Sequence, residues 1–207
     1  MKKLILFLSL LILVSGVQAQ GLKGKFMFTL KAGSPYFLEN DINRKTFLGS
    51  QIDYFLNDQI LVGMNLNYMR YYDHVDRFTD VEYSGLIEKD KYDNKWKWYS
   101  LTFSGKLLLE PGRFSPFIEM GVGFYIPQLT YYKYDYLIDG YTNTTVKIYK
   151  KTRYGFNLGI GVQYRIWKRF CLQFEGLINN VFKKSDDTSY ASAFDFAILD
   201  AGLSMIF

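Results

Sequence analysis

One histidine, His74, stands among groups that can do chemistry. Asp73 and Asp76 flank it, and Ser84 follows in the same stretch. Carboxylate, imidazole and hydroxyl are the parts of an activated nucleophile, in which the imidazole takes the serine proton. Nothing in the neighbouring sequence holds the imidazole against either partner. Residues 73–95 also carry Asp80, Glu82, Glu88, Asp90 and Asp93, with Arg77, Lys89, Lys91 and Lys95 among them, and read as a solvated charged loop. Their spacing is not that of a calcium loop. Cys171 is the single cysteine, so no disulfide can form within the chain, and it reads as an inert buried thiol. The sequence therefore predicts a protein with no catalytic residues, no metal and no cofactor.

A second set of ionisable residues is spread evenly along the chain. Lys25, Lys31, Lys106 and Arg165 face Asp53, Glu119, Glu175 and Asp200, four of each sign. They all fall on one side of segments that alternate with a period of two, the signature of β-strands. That period predicts eight strands, at about 22–32, 44–56, 60–72, 96–109, 114–127, 152–166, 170–182 and 193–207. Asn57-Asp58, Pro111-Gly112-Arg113 and Trp167-Lys168-Arg169 make tight turns, whereas 33–43, 73–95, 128–151 and 183–192 are long connections. Short turns on one rim and long loops on the other is the asymmetry of a membrane β-barrel.

The two faces of each strand decide which solvent they meet. One face of 154–166 reads Tyr154, Phe156, Leu158, Ile160, Val162, Tyr164, Ile166; the other reads Gly155, Asn157, Gly159, Gly161, Gln163, Arg165. Ile118, Met120, Val122, Phe124 and Ile126 oppose Glu119, Gly121, Gly123 and Tyr125 in the same way. Eight strands enclose a space just wide enough for side chains to fill it. Turning every bulky residue inward would overfill that space, so the bulky face is predicted to meet lipid and the small, charge-paired face to fill the centre. An uncompensated buried charge costs several kcal/mol, which favours mutual pairing there. Two aromatic girdles are expected at the interfaces: Tyr54, Phe114, Tyr164, Trp167, Phe170 and Phe207 near the short turns, and Tyr68, Tyr71, Trp96, Trp98, Tyr99, Tyr154 and Phe182 toward the long loops.

The first residues set the compartment. Lys2 and Lys3 precede an apolar run from Leu4 to Val14, and Val17-Gln18-Ala19 places small residues where a signal peptidase cuts. Residues 1–19 thus read as a signal peptide and 20–207 as one barrel domain. The run is about half the length of a membrane-spanning helix. Losing Lys2 and Lys3 lowers the formal charge from +5 to +3. That balance, without a basic cluster, gives no case for nucleic acid. The 19% aromatic content, with 18 Tyr and 18 Phe, accompanies 17 Gly and points to β-structure.

In this pattern, and in the closing alternation Leu203, Met205, Phe207, the chain resembles the small eight-stranded outer-membrane β-barrel proteins, of the OmpA transmembrane domain and OmpX type. The resemblance covers nearly the whole of 20–207 and implies an all-β, antiparallel up-and-down transmembrane barrel in a Gram-negative outer membrane. It also implies contact with outer-membrane lipids and lipopolysaccharide, and reading of Phe207 by the barrel-assembly machinery. Some barrels of this size modify lipid A through a His with Ser or a carboxylate, which keeps His74 as the centre of an alternative reading; a small-solute channel is another. The main expectation is a monomer with a structural or surface-interaction role and no open pore. Thr130–Tyr136 and Thr144–Tyr149 are expected to form a ribbon above the membrane, turning at Asp139-Gly140. It would present Tyr131, Tyr132, Tyr134, Tyr136, Tyr141 and Tyr149 to a surface or envelope protein partner.

Overall fold

The computed structural model describes residues 21–37, 45–78, 89–137, 140–182 and 195–207; the expected signal peptide lies outside them. Nine strands follow in chain order: β1 (Phe26–Phe37), β2 (Lys45–Phe55), β3 (Ile60–Phe78), β4 (Lys89–Leu108), β5 (Phe114–Leu137), β6 (Gly140–Lys150), β7 (Arg153–Arg165), β8 (Phe170–Val181) and β9 (Asp195–Ile206). Every pairing is antiparallel, and β4 pairs with β5 while β1 pairs with β9. The sheet therefore closes on itself through β1-β2-β3-β4-β5-β7-β8-β9, the eight-stranded barrel expected. β6 stands outside that ring and pairs with the upper half of β5.

The short turns are held by local chemistry. In the first, Asn57 Oδ1 accepts from the Gln59 and Ile60 amides, both at 2.8 Å, and the Leu56 amide reaches the Ile60 carbonyl at 2.9 Å. An asparagine side chain that substitutes for backbone in this way stabilises a tight reversal. In the second, Ser115 Oγ accepts from the Gly112 amide at 3.0 Å. In the third, the Ile166 amide donates to the Phe170 carbonyl at 2.9 Å. Before β1 the chain turns at Gly24, whose φ of 83° lies in the left-handed region that favours glycine.

Alternation carries through to burial. β7 repeats exposed and buried positions from Arg153 to Ile160, with Ile160 67% exposed beside a buried Gly159. Leu30, Ile52, Leu66, Phe103, Val122, Phe174 and Leu199 all face outward, so a continuous apolar belt surrounds the barrel. Aromatic pairs ring its two ends: Phe26–Tyr54 at 5.0 Å near the short turns, Tyr68–Tyr99 and Phe124–Tyr154 at 5.2 Å near the other rim.

Four details correct the sequence reading. β3 and β4 run on to Phe78 and back to Lys89, so 73–78 and 89–95 are strand and not loop. No hydrophobic alternation marks these stretches in the sequence. Gly140 belongs to β6, where it pairs with Leu137, and the connection is at 138–139, outside the described residues. β1 starts and ends about four residues later than expected. Tyr71, Trp96 and Trp98, expected in the outer girdle, are buried inside the barrel.

Candidate functional site

Two regions can do something beyond holding the fold: the barrel interior and the sheet above it. The interior is filled in layers, each built by residues from several strands. Nearest the short turns sit Leu22, Met27, Phe55, Leu61, Leu108, Phe117, Cys171 and Ile206, all buried. The Cys171 thiol accepts from Gln163 Nε2 at 3.3 Å, within this layer.

The charges come next, one to three inward positions further up β1, β2, β4, β5, β8 and β9. Lys31 on β1 meets Glu175 on β8 at 2.6 Å. Lys106 on β4 lies 3.2 Å from Glu119 on β5 and 3.6 Å from Asp53 on β2. It also donates to Gln173 Oε1 at 3.3 Å and sits over the Phe117 ring at 4.6 Å. Gln51 Nε2 bridges Asp53 at 2.9 Å and Glu119 at 3.1 Å, and Asn65 Nδ2 donates to Glu119 at 3.0 Å. Gln173 Nε2 reaches Glu175 at 3.2 Å and completes a chain of contacts that runs across the barrel. Lys106 and Glu119 are each 1% exposed. A charge so enclosed is tolerable only when paired and hydrogen-bonded.

Six of the eight residues named from sequence meet here: Lys31, Asp53, Lys106, Glu119, Glu175 and Asp200. Asp200 pairs in register with Glu175, and its two oxygens have no hydrogen-bond partner. The meeting set is two lysines and four carboxylates, not the even balance expected. Lys25 precedes β1, and Arg165 ends β7 opposite Cys171, so both lie at the short-turn end. Glycine makes the space: a Cβ on Gly63 would collide with the Asp53 carboxylate, and one on Gly33 with Asp200.

Toward the other rim the filling is aromatic. Trp98 meets Phe196 edge-on at 5.3 Å, Tyr71 stacks on Trp96 at 5.7 Å, and Phe47, Met69, Tyr125 and Leu129 close around them. Tyr125 donates to Asn179 Oδ1 at 3.1 Å. This plug is the part the sequence reading missed. The signal was present: Trp96 and Trp98 share the parity of Ser100, Thr102, Ser104 and Lys106 on one strand.

Past the aromatic layer β3, β4, β5 and β6 continue as a four-stranded sheet. Tyr131 pairs with Asn94 on one side and Lys147 on the other; Tyr134 pairs with Lys91 and Thr144. Tyr132, Tyr136, Tyr141 and Tyr149 occupy the same β5–β6 hairpin. His74 is a β3 position whose register partner is Asp93, while Asp73 faces Asn94 and Asp76 faces Lys91. Ser84 lies outside the described residues. Among the described residues no group of acidic, histidine and cysteine side chains is arranged to hold a metal ion.

A closed barrel with an outward apolar belt and an ionic centre has the pattern of a membrane-spanning barrel. The model of the outer membrane protein beta-barrel domain matches residues 5–207. The chain belongs to that family. It is an outer-membrane β-barrel protein, and its apolar belt meets hydrocarbon. Among solved structures, Ail, the attachment invasion locus protein of Yersinia pestis, in complex with the heparin analogue sucrose octasulfate, is 12% identical with a TM-score of 0.50, covering 89% of this chain and 99% of that one. The N-terminal β-barrel domain of Pseudomonas aeruginosa OprF is 15% identical (TM-score 0.47, covering 91% and 100%). Neisserial surface protein A is also 15% identical (TM-score 0.49, covering 88% and 97%). No curated protein matches in sequence. At these identities the likeness is one of fold.

Proposed function

We propose that this outer-membrane barrel is a closed, structural platform that presents a binding surface outside the cell, with the β3–β6 sheet as that surface. The observation that carries the reading is that four strands outrun the apolar belt and stay hydrogen-bonded to one another above it. Ordering so much backbone outside the membrane is costly, about 1–2 kcal/mol per residue, and serves no purpose for the barrel wall. A strand at the side of a sheet offers unpaired amides and carbonyls to a partner strand, and tyrosine side chains add contact area with a polar tip. Six tyrosines of the β5–β6 hairpin stand in this region. The attachment role in the name of the Ail barrel agrees with this reading.

The same proposal holds the barrel shut. The lumen is crossed by the Lys31–Glu175–Gln173–Lys106–Glu119 chain and capped by the Trp98–Phe196 layer, which supports a plugged interior over the small-solute channel. A lipid A-modifying enzyme centred on His74 would need a partner fixed beside that imidazole. The outer leaflet, with its lipopolysaccharide, and the assembly machinery that reads Phe207 complete the partners proposed.

The test is display on cells. Bacteria carrying the full chain should adhere to a protein-coated or cellular surface, and deletion of 130–149 should abolish adhesion while the barrel still inserts. Equal adhesion with and without 130–149 refutes the surface assignment. In planar bilayers the purified protein should conduct no more than the lipid alone.

A further inference from the structure

We propose that the short-turn rim carries a binding site for the headgroups of anionic phospholipids, made by Arg113, Lys168 and Arg169 beside Trp167. Such a site needs only the barrel in its membrane and does not rest on the surface-binding role proposed above.

The exposed charges of this rim are one-sided. Lys23 before β1, Arg113 between β4 and β5, and Lys168 and Arg169 between β7 and β8 are all exposed. Among the described residues Glu110 is the one exposed carboxylate side chain on this rim. Asp58, in the β2–β3 turn, is half-buried and accepts from the Leu22 amide. None of the four bases is in an ion pair with another described residue.

The fold gathers three of these cations on neighbouring turns. β5 and β7 pair, and the Arg165 amide donates to the Arg113 carbonyl at 2.7 Å, so the β4–β5 and β7–β8 turns lie side by side. The Ile206 amide donates to the Arg169 carbonyl at 2.8 Å and holds the β7–β8 turn against β9 as well. Cations fixed on adjoining turns repel one another, and an anion among them removes that repulsion.

Their height in the membrane decides which anion. Trp167 is 72% exposed, more than any other large apolar side chain among the described residues, and Ile166 and Phe170 are exposed at the two ends of its turn. An indole at the end of an apolar belt belongs at the headgroup level. The Arg113 guanidinium lies over the Tyr164 ring, 5.3 Å from its centroid, and Tyr164 shares the outward side of β7 with Ile160. That stacking keeps a cation against the lipid flank of the barrel and not out in the periplasm. A guanidinium takes a phosphate through two parallel hydrogen bonds, and each basic side chain at an anionic bilayer surface adds to the attraction. Short turns face the periplasm in such barrels, so the leaflet concerned is the phospholipid one, opposite the lipopolysaccharide.

The protein carries its own probe. Of its three tryptophans, Trp96 and Trp98 are buried inside the barrel and Trp167 alone meets lipid. The full chain is reconstituted in phosphatidylcholine vesicles with a minor fraction of lipid brominated in its acyl chains, either phosphatidylglycerol or phosphatidylcholine. Bromine quenches an indole on contact, so the two lipids report which headgroup gathers at Trp167. Brominated phosphatidylglycerol should quench as though about fivefold more concentrated there than brominated phosphatidylcholine at the same mole fraction. High salt should reduce that excess. Arg113→Gln with Lys168→Gln and Arg169→Gln should erase it and leave quenching by brominated phosphatidylcholine unchanged, a result that misfolding cannot imitate. The charge-conserving Lys168→Arg with Arg169→Lys should keep it. Equal quenching by the two lipids overturns the site, as does an excess that survives the triple substitution. Isolated peptidoglycan that retains the parent protein but not the triple variant, with no lipid preference in vesicles, assigns the rim to the cell wall and overturns the proposal as well.

Discussion

Below Tyr71 the strands β3 and β4 form part of a closed wall, and above it the same two strands form part of an open sheet. In the wall, each residue's side is decided by hydrocarbon without and a narrow filling within, so Leu101 and Phe103 alternate with Thr102 and Ser104. In the sheet no such alternation is written, and Asp73, Asp76, Lys89 and Lys91 occupy neighbouring positions of the ladder. One strand thus changes its rules where it leaves the membrane, while its hydrogen-bond ladder continues unchanged. The ladder sets the shape, and the solvent sets the sequence.

The contrast can be broken most forcefully at the ionic centre. Lys106→Met strands Asp53 and Glu119 without their shared cation, and should cost about 3–5 kcal/mol in urea unfolding from lipid vesicles. Lys147→Met in the open sheet should shift the same curve by less than about 0.5 kcal/mol. If the two substitutions cost the same, the charge layer is not what stiffens the barrel.

A matched pair of isoleucines sharpens the boundary between the regions. Ile160 and Ile148 are 67% and 63% exposed, almost equal by geometry. Ile160→Arg places a cation in the belt and should destabilise by about 2–4 kcal/mol if it lies near the midplane. Ile148→Arg, above the belt, should leave folding within about 0.5 kcal/mol of the parent. Smaller again is the turn: Asn57→Ala removes the side chain that caps the Gln59 and Ile60 amides and should cost about 0.5–1.5 kcal/mol. Deleting 130–149 should have the least effect on the barrel, leaving its thermal unfolding midpoint in detergent within a few degrees.

The same boundary explains what could be read from the sequence. Inside the belt the period of two is enforced by two different solvents, so the eight staves, the closed topology and the inward positions of Lys31, Asp53, Lys106, Glu119, Glu175 and Asp200 were legible. Tyr71, Trp96 and Trp98 were misplaced because aromatic residues suit both an interface and a filled lumen, and type was weighed above parity. Counting in twos from Asn67 and Ser100 puts all three indoors. Strand 73–78 and its partner 89–95 could not be found by periodicity, since nothing there separates one face from the other. The turn at Asp139-Gly140 was displaced for a related reason: a bulge between Asp135 and Tyr136 shifts the register near the hairpin end. Which charges meet whom was beyond sequence altogether, because Lys106 and Glu119 converge only once the sheet has curled.

The seam between β1 and β9 has a consequence for biogenesis. Thr29 and Ser204 hydrogen-bond at 2.9 Å across 175 residues of chain, and the Phe207 amide donates to the Phe26 carbonyl at 2.9 Å. A chain that lacks β9 leaves β1 and β8 without the partner they share, so a product truncated before Asp195 cannot close the wall and should be cleared as an aggregate, never persisting as a leaky, partly built cylinder.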